Sequence, residues 1–262
     1  MAKRRLDVLL VERGLAESRT QAQALVMAGL VPGHSKPGEQ LDERAPLEVE
    51  RPPPYVSRAG HKLANALDAF GIDVAGLDCL DVGSSTGGFT DVLLQRGAAR
   101  VIAVDVGRGQ LHERLRRDPR VTVMERTNVR ALRELPLAPA IVTCDVSFIS
   151  LKLALPPALA LAASGWQALA LVKPQFEAGR AEAPKGVVRD KAVRRRVVRD
   201  VAVALLAAGA EPRGVVDSGL PGPKGNHEFV LHLVHSPDSA LPPDFDRWLD
   251  AAVEAGGVDA AG

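Results

Sequence analysis

The stretch LDCLDVGSSTGGFTD, Leu77 to Asp91, constrains the fold more than any other part of the chain. An apolar run (Leu77, Cys79, Leu80, Val82) delivers Asp81, breaks into Gly83, Ser84, Ser85, Thr86, Gly87 and Gly88, and restarts a helical pattern at Phe89. That order is strand, tight loop, helix. The glycines let backbone approach a ligand, and the helix start offers unpaired N–H groups to a polar or anionic one. The phosphate-loop pattern fails, because Phe89 and Thr90 stand where Lys and Ser or Thr are needed, and the dinucleotide pattern fails because Ser85 replaces its second glycine. A second acid, Asp105, closes the next strand 24 residues after Asp81, near the offset at which a carboxylate grips ribose hydroxyls. A nucleoside without a phosphate tail fits these facts, with S-adenosylmethionine the foremost choice and a purely structural glycine turn the alternative.

Around this stretch the apolar periodicity alternates between strand and helix. It predicts strands at 78–82, 100–104, 121–124, 141–144, 166–172, 213–217 and 228–234. Helices are expected at 89–95, 109–116, 157–163 and 190–208, with a helical turn near 130–134. Such alternation means an open, mostly parallel sheet covered on both faces: an α/β, Rossmann-like, seven-stranded domain of the S-adenosylmethionine-dependent methyltransferase form. Ser57 is expected to cap a preceding helix that buries Leu63, Leu67 and Phe70, and the acidic tail after Pro237 to form a final solvated helix.

Residues 1–51 read as a separate small α+β unit, 52–57 as a stiff Pro-rich linker, and 58–262 as the main domain. In the small unit Arg5 to Glu12 is a short helix, and Ser18-Arg19-Thr20-Gln21 is a capping box opening a second. Leu30-Val31 and Leu47 to Glu50 are its β-prone pieces.

Composition narrows the classes. A net charge of +1 argues neither for nor against nucleic acid, and 3% aromatics leave few rings for stacking. The 20 uncharged residues between Lys152 and Lys173 reach bilayer-spanning length, but Pro156-Pro157, Ser164-Gly165 and Gln167 interrupt them, so a helix, a turn and a buried strand are expected. Nor is the basic start followed by enough apolar residues for a secretory signal. The expected protein is cytoplasmic and monomeric, without membrane or metal partners. Cys79 and Cys144 fall in neighbouring strands of such a sheet, so their thiols could lie close together, reduced and inert.

Ligands of open α/β sheets bind beyond the carboxyl ends of strands. Those ends carry Asp81 and the glycine loop, Asp105, Thr127-Asn128, Asp145-Val146-Ser147-Phe148 and Lys173-Pro174, with Glu228 opening the last strand. The expected cofactor contacts are Asp81, Gly83, Ser85, Thr86, Gly87, Gly88, Phe89, Asp105, Asn128 and Asp145. Asp145, Lys173 and Glu228 could converge with Lys62 beside that cofactor, where a neighbouring cation and burial would help a lysine give up its proton. An ordinary ion-pair cluster is the competing reading.

Two resemblances sharpen these expectations. RLDVLLVERGLAESRTQAQALVMAGLV resembles the RNA-binding domain shared by ribosomal protein S-four and pseudouridine synthases, which implies that Arg4, Arg5, Arg19 and Lys36 meet folded RNA. The motifs SRAGHKL, DVGSSTGGFTD, VDVGRGQL, ERTNVR, CDVSFISL, LVKPQFE and LPGPKGNHEF together resemble the TlyA (hemolysin A) family of ribosomal RNA 2′-O-methyltransferases and the wider FtsJ/RrmJ-like group. The resemblance implies a catalytic Lys-Asp-Lys-Glu set at Lys62, Asp145, Lys173 and Glu228, S-adenosylmethionine as cofactor, and cytidine ribose of ribosomal RNA or subunits as substrate. Lys185, Arg189 and Arg195 lie in the densest basic cluster, and a second gathers Arg114, Arg116, Arg117 and Arg120. The rival classes are a non-catalytic RNA-binding assembly factor, a nicotinamide oxidoreductase and a membrane-active hemolysin.

Overall fold

Lys3–Arg5 forms a strand, β1, that no apolar alternation announces. It pairs antiparallel with β2, Gln40–Asp42, placing Lys3 opposite Asp42 and Arg5 opposite Gln40. The computed structural model describes residues 3–50, 53–222 and 224–256. Arg51 and Pro52 of the expected linker, and Pro223, therefore lie outside the described residues. The chain divides into two units, Met1–Pro54 and Tyr55–Gly262.

In the first unit, helices α1 (Leu6–Glu12) and α2 (Arg19–Met27) enclose Leu6, Leu10, Ala22, Val26 and Val31. Ser18 Oγ accepts the Gln21 N–H at 3.2 Å, as a capping box requires, while Gln21 Oε1 reaches back to the Glu17 N–H at 2.6 Å. The segments 30–31 and 47–50 are not strands; one hydrogen bond, Glu50 N to Leu30 O at 2.7 Å, joins them. Their apolar residues serve the small core instead, Val31 within it and Leu47 and Val49 against it.

The second unit is built on a seven-stranded sheet of order β5-β4-β3-β6-β7-β9-β8. Its strands are β3 (Asp78–Val82), β4 (Arg100–Val104), β5 (Val121–Met124), β6 (Ile141–Cys144), β7 (Gln167–Val172), β8 (Ala210–Asp217) and β9 (Phe229–His235). β9 runs antiparallel to both β7 and β8; the other pairings are parallel. The helices are α3 (Ala59–Phe70), α4 (Gly88–Gln95), α5 (Glu113–Arg116), α6 (Leu151–Leu159), α7 (Pro174–Glu177), α8 (Lys191–Leu206) and α9 (Phe245–Ala255). One core layer packs α6, α8 and α9 on the sheet face that carries Leu80, Val82, Ile102 and Cys144; the other packs α3, α4 and α5 on the face of Cys79, Val101 and Ala103.

Several elements depart from the sequence reading. Helix α6 begins at Leu151 and carries Pro156 and Pro157 inside it. Each proline in a helix interior costs about 3 kcal/mol, and burial of Leu151, Leu155 and Leu159, worth about 1.5–3 kcal/mol each, together with buried Ala154 and Ala158, offsets the two. Ser57 does not cap α3: Arg58 holds that position with no side-chain bond. Helix α9 is not a solvated tail, since Phe245, Leu249, Ala252 and Val253 are buried in the core beside α8. The two thiols do not meet, because Cys144 is opposite Val82 rather than Cys79 and the two side chains belong to opposite core layers. Burial pushes the Cys79 thiol up to about 12 and raises that of Cys144 as well.

Candidate active site

Strand period two sends Asp81 to the α4 face, and there it is fully buried. Its Oδ2 accepts the Thr90 N–H at 2.9 Å and the Thr90 hydroxyl at 2.7 Å; its Oδ1 accepts the Thr143 hydroxyl at 3.0 Å. Asp81, expected at the cofactor, therefore lies behind the glycine loop, where it pins the first turn of α4. Burial pushes its carboxyl up to about 6 despite these donors.

The loop crosses directly over β6. Gly83 takes φ of 83°, and a Cβ there would lie 2.5 Å from the Asp145 carbonyl oxygen, so only glycine permits this approach. At Gly88 an added Cβ would collide with the Ser57 hydroxyl. Ser85 also takes a left-handed φ, 47°, and its N–H donates to Asp105 Oδ2 at 2.8 Å. Asp105 Oδ1 accepts the Gly107 N–H at 2.7 Å, and each oxygen keeps a lone pair for a ribose hydroxyl.

Three cavities converge here. One of about 590 Å³ is lined by Gly83, Ser85, Asp105 and Asn128, with Val104, Val106, Val129, Val146 and Ile149 as apolar walls. A second of about 550 Å³ is lined by Lys62, Asp145, Lys173 and Glu228. The third, about 150 Å³, lies over the loop at Ser84, Thr86, Gly88 and Phe89. Asp145 and Ser147 line all three, and Lys173 lines the second and third. The first is roomy and apolar enough for a flat base, with the Asp105 carboxylate in its lining and no lysine among its lining residues to meet a phosphate chain.

The charged groups form two ion pairs. Lys173 Nζ lies 2.5 Å from Asp145 Oδ1 and donates to Ser147 Oγ at 3.0 Å. Lys62 Nζ lies 2.5 Å from Glu228 Oε2, and this pair is nearly sealed, with side chains 9% and 2% exposed. Lys62 therefore does not snorkel to water.

Sequence reasoning passed over several residues of this region. Gln175, two positions after Lys173, donates from Nε2 to Glu228 Oε1 at 2.9 Å. Phe148 takes φ of 66°, is 89% exposed, and its ring sits 4.9 Å from that of Phe176 at the edge of the lysine cavity. Arg58 and Lys224 also line that cavity. Phe148, Arg58 and Lys224 lie in loops or turns, where periodicity is silent, and Gln175 and Phe176 sit in a single helical turn too short to show a period; the left-handed bulky residue at 148 leaves no trace in sequence.

The basic clusters look different in three dimensions. Arg195 is engaged by Asp246 and Asp250 of α9, and Arg199 also meets Asp246. Arg114, Arg116, Arg117 and Arg120 pair with Asp91, Glu125, Glu113 and Asp118. Lys185 and Arg189 are exposed and form no ion pair among the described residues, and the same holds for Lys36 in the first unit. There Arg4 meets Glu12 and Glu43, while Arg5 and Arg19 share the buried Asp7, whose carboxyl they hold well below the usual range, Arg5 foremost.

A mostly parallel sheet whose cavities gather at the carboxyl ends of its parallel strands, around a glycine loop without phosphate-binding lysine, belongs to the Rossmann-like α/β class of methyltransferases. Residues 55–235 match the FtsJ-like methyltransferase family and residues 4–31 the S4 domain, so the chain belongs to the FtsJ-like family and carries an S4 domain before it. It is 49% identical over 240 residues to "Putative rRNA methyltransferase YqxC" of Bacillus subtilis, covering 88% of this chain and 85% of that protein. It is 47% identical over 251 residues to the 16S/23S rRNA (cytidine-2'-O)-methyltransferase TlyA of Mycobacterium tuberculosis, covering 92% and 94%. Among solved structures, "Putative hemolysin from Streptococcus thermophilus" superposes with a TM-score of 0.74 at 41% identity over 97% of each chain. Among the described residues no helix is long and apolar enough to cross a membrane.

Proposed function

We propose that this protein methylates the ribose 2′-hydroxyl of cytidine in ribosomal RNA of the small subunit, the large subunit or both, using S-adenosylmethionine. The observation that carries the reading is the placement of Lys173, which lines both the small cavity over the glycine loop and the larger cavity holding Lys62 and Glu228. A group bound on either side reaches the same amine. The printed activity of the Mycobacterium tuberculosis relative supports the choice of substrate.

S-adenosylmethionine, when bound, supplies an electrophilic methyl group. Asp105 and Asn128 would hold its nucleoside part, and the backbone from Gly83 to Gly88 its amino-acid part. In the cavity that also holds Lys62 and Glu228, Lys173 accepts the proton of the ribose hydroxyl, and Asp145 stabilises the ammonium that results. Lys62, fixed by Glu228, offers positive charge to the oxygen as it loses that proton. The exposed Phe148 ring, held at a costly backbone angle beside Phe176, gives an unpaired base a stacking face. Among the described residues Lys36, Lys185 and Arg189 are the expected cations of the RNA path that have no carboxylate partner, while Arg4, Arg5, Arg19 and Arg195 must exchange or share theirs.

The test is tritium transfer from S-adenosylmethionine to ribosomal subunits. Lys173→Ala should abolish transfer while calorimetric affinity for the cofactor stays within about threefold, a change of under ~1 kcal/mol. Native turnover in that variant overturns the assignment. Retained RNA binding by a native protein that transfers no methyl group would favour the assembly-factor reading.

A further inference from the structure

The geometry points to Gln175 as a positioning residue that ties the Lys173-bearing turn to the Lys62–Glu228 pair; the inference rests on the proposed methyl transfer. Glu228 is 2% exposed, so both of its oxygens need partners from the protein. Lys62 supplies one at Oε2 and Gln175 Nε2 the other at Oε1. Gly222 closes the remaining side: a Cβ there would lie 2.5 Å from Glu228 Oε1.

Helix α7 spans only Pro174–Glu177, and a single turn has little stability of its own. Three alternate side chains hold it. Lys173 reaches Asp145 and Ser147 on the β6 side; Glu177 accepts the Ser150 hydroxyl at 2.6 Å and the Leu151 N–H at 2.7 Å at the start of α6. Gln175 is the member that reaches the second ion pair, between Lys62 of α3 and Glu228 just before β9. Without it the distance between the proton acceptor and the fixed positive charge of Lys62 has no direct tie.

The amide also shows the mark of a functional residue. Its carbonyl oxygen Oε1 is buried with no hydrogen-bond partner among the described residues. Turning the amide over would satisfy neither end, since it would set a carbonyl against a carboxylate. An orphaned buried acceptor destabilises the fold, and a leucine would fill the space without one. The chain keeps the amide where its N–H is needed.

Gln175 lines the lysine cavity and neither of the two cavities assigned to the cofactor. Gln175→Leu should therefore lower kcat about 10- to 100-fold, the factor carried by one charge-assisted hydrogen bond, with KM for S-adenosylmethionine unchanged. Gln175→Glu gives a signature that a packing role does not. Two carboxylates at that distance repel, so the pair keeps one proton to a higher pH than a lone carboxyl would, with Lys62 the cation on the pair and Asp145, Lys173, Arg58 and Lys224 around the same cavity. At low pH the new acid is protonated and donates to Glu228 as the amide does, so the ratio of variant to native kcat should fall as pH rises. A native kcat in Gln175→Leu, or a pH-independent ratio in Gln175→Glu, overturns the inference. If the leucine chain does not fold, the glutamate ratio decides. Lys173→Ala run in parallel separates the two levels: full turnover there removes the methyl-transfer reading itself, whereas a dead Lys173→Ala beside an unaffected Gln175→Leu removes only the tie.

Discussion

Replacing Asp81 by asparagine isolates the cost of an ionised carboxylate beneath the glycine loop. The native carboxyl is fully buried, and burial lifts it from 3.8 to about 6. Because the folded-state value lies above the unfolded one, the stabilising contribution of this group is complete below about pH 4 and is lost as pH rises through 6. That rise corresponds to about 3 kcal/mol of preference for the protonated carboxyl in the folded chain. Asparagine can keep the hydrogen bonds: its oxygen accepts from the Thr90 N–H and hydroxyl, and its amide donates to the Thr143 hydroxyl, which itself donates to Leu80 O at 3.3 Å. Asp81→Asn should thus match the native chain near pH 4 and exceed it by up to about 3 kcal/mol above pH 7. Urea unfolding from pH 4 to 7.5, followed by circular dichroism, measures the difference directly. A difference between the two chains that stays flat across that window would show that Asp81 titrates normally and that the burial argument is wrong.

His232 supplies the opposite slope over nearly the same range. Its imidazole packs on Phe70 and meets Gln167 Oε1 at 2.9 Å, and burial brings it down to about 4. Its stabilising contribution is present above pH 6.5 and is lost as pH falls toward 4, so His232→Phe should remove an acid-side loss of about 2–3 kcal/mol; an unchanged acid limb in the same urea series would refute this. In the native chain the Asp81 and His232 terms partly cancel, so each becomes visible only in the variant of the other. Gly83→Ala should push the loop off the Asp145 carbonyl, costing about 1–2 kcal/mol for the left-handed backbone alone, and weaken calorimetric S-adenosylmethionine binding more than about tenfold. Native affinity in that variant would mean the close approach of loop to β6 is not what shapes the cofactor cavity.

Much of the sheet was legible in the sequence for a simple reason. Strands β3, β4, β5 and β6 are short apolar runs bounded by Gly, Asp or Arg, and the observed bounds 78–82, 100–104, 121–124 and 141–144 coincide with the expected ones. A parallel strand covered on both faces must be apolar nearly throughout, and that needs no knowledge of its neighbours. The glycine loop is equally local: positive φ at Gly83 and Gly87 and the helix start at Gly88 follow from residues adjacent in the chain. Where local rules conflicted with distant burial, burial prevailed, as in α6, whose prolines lie inside a helix because three leucines face the core.

By itself, then, the sequence determined the strand-loop-helix unit, the order of α and β elements and which chemistry stands at each strand end. Only the tertiary structure decided the direction and partner of each charge. Asp81 turned inward to Thr90 and Thr143, Lys62 found Glu228 at a separation of 166 residues, and α9 supplied carboxylates to Arg195 and Arg199. Backbone preference and apolar period act over a few residues, whereas burial and ion pairing depend on what the folded chain brings to within 3 or 4 Å.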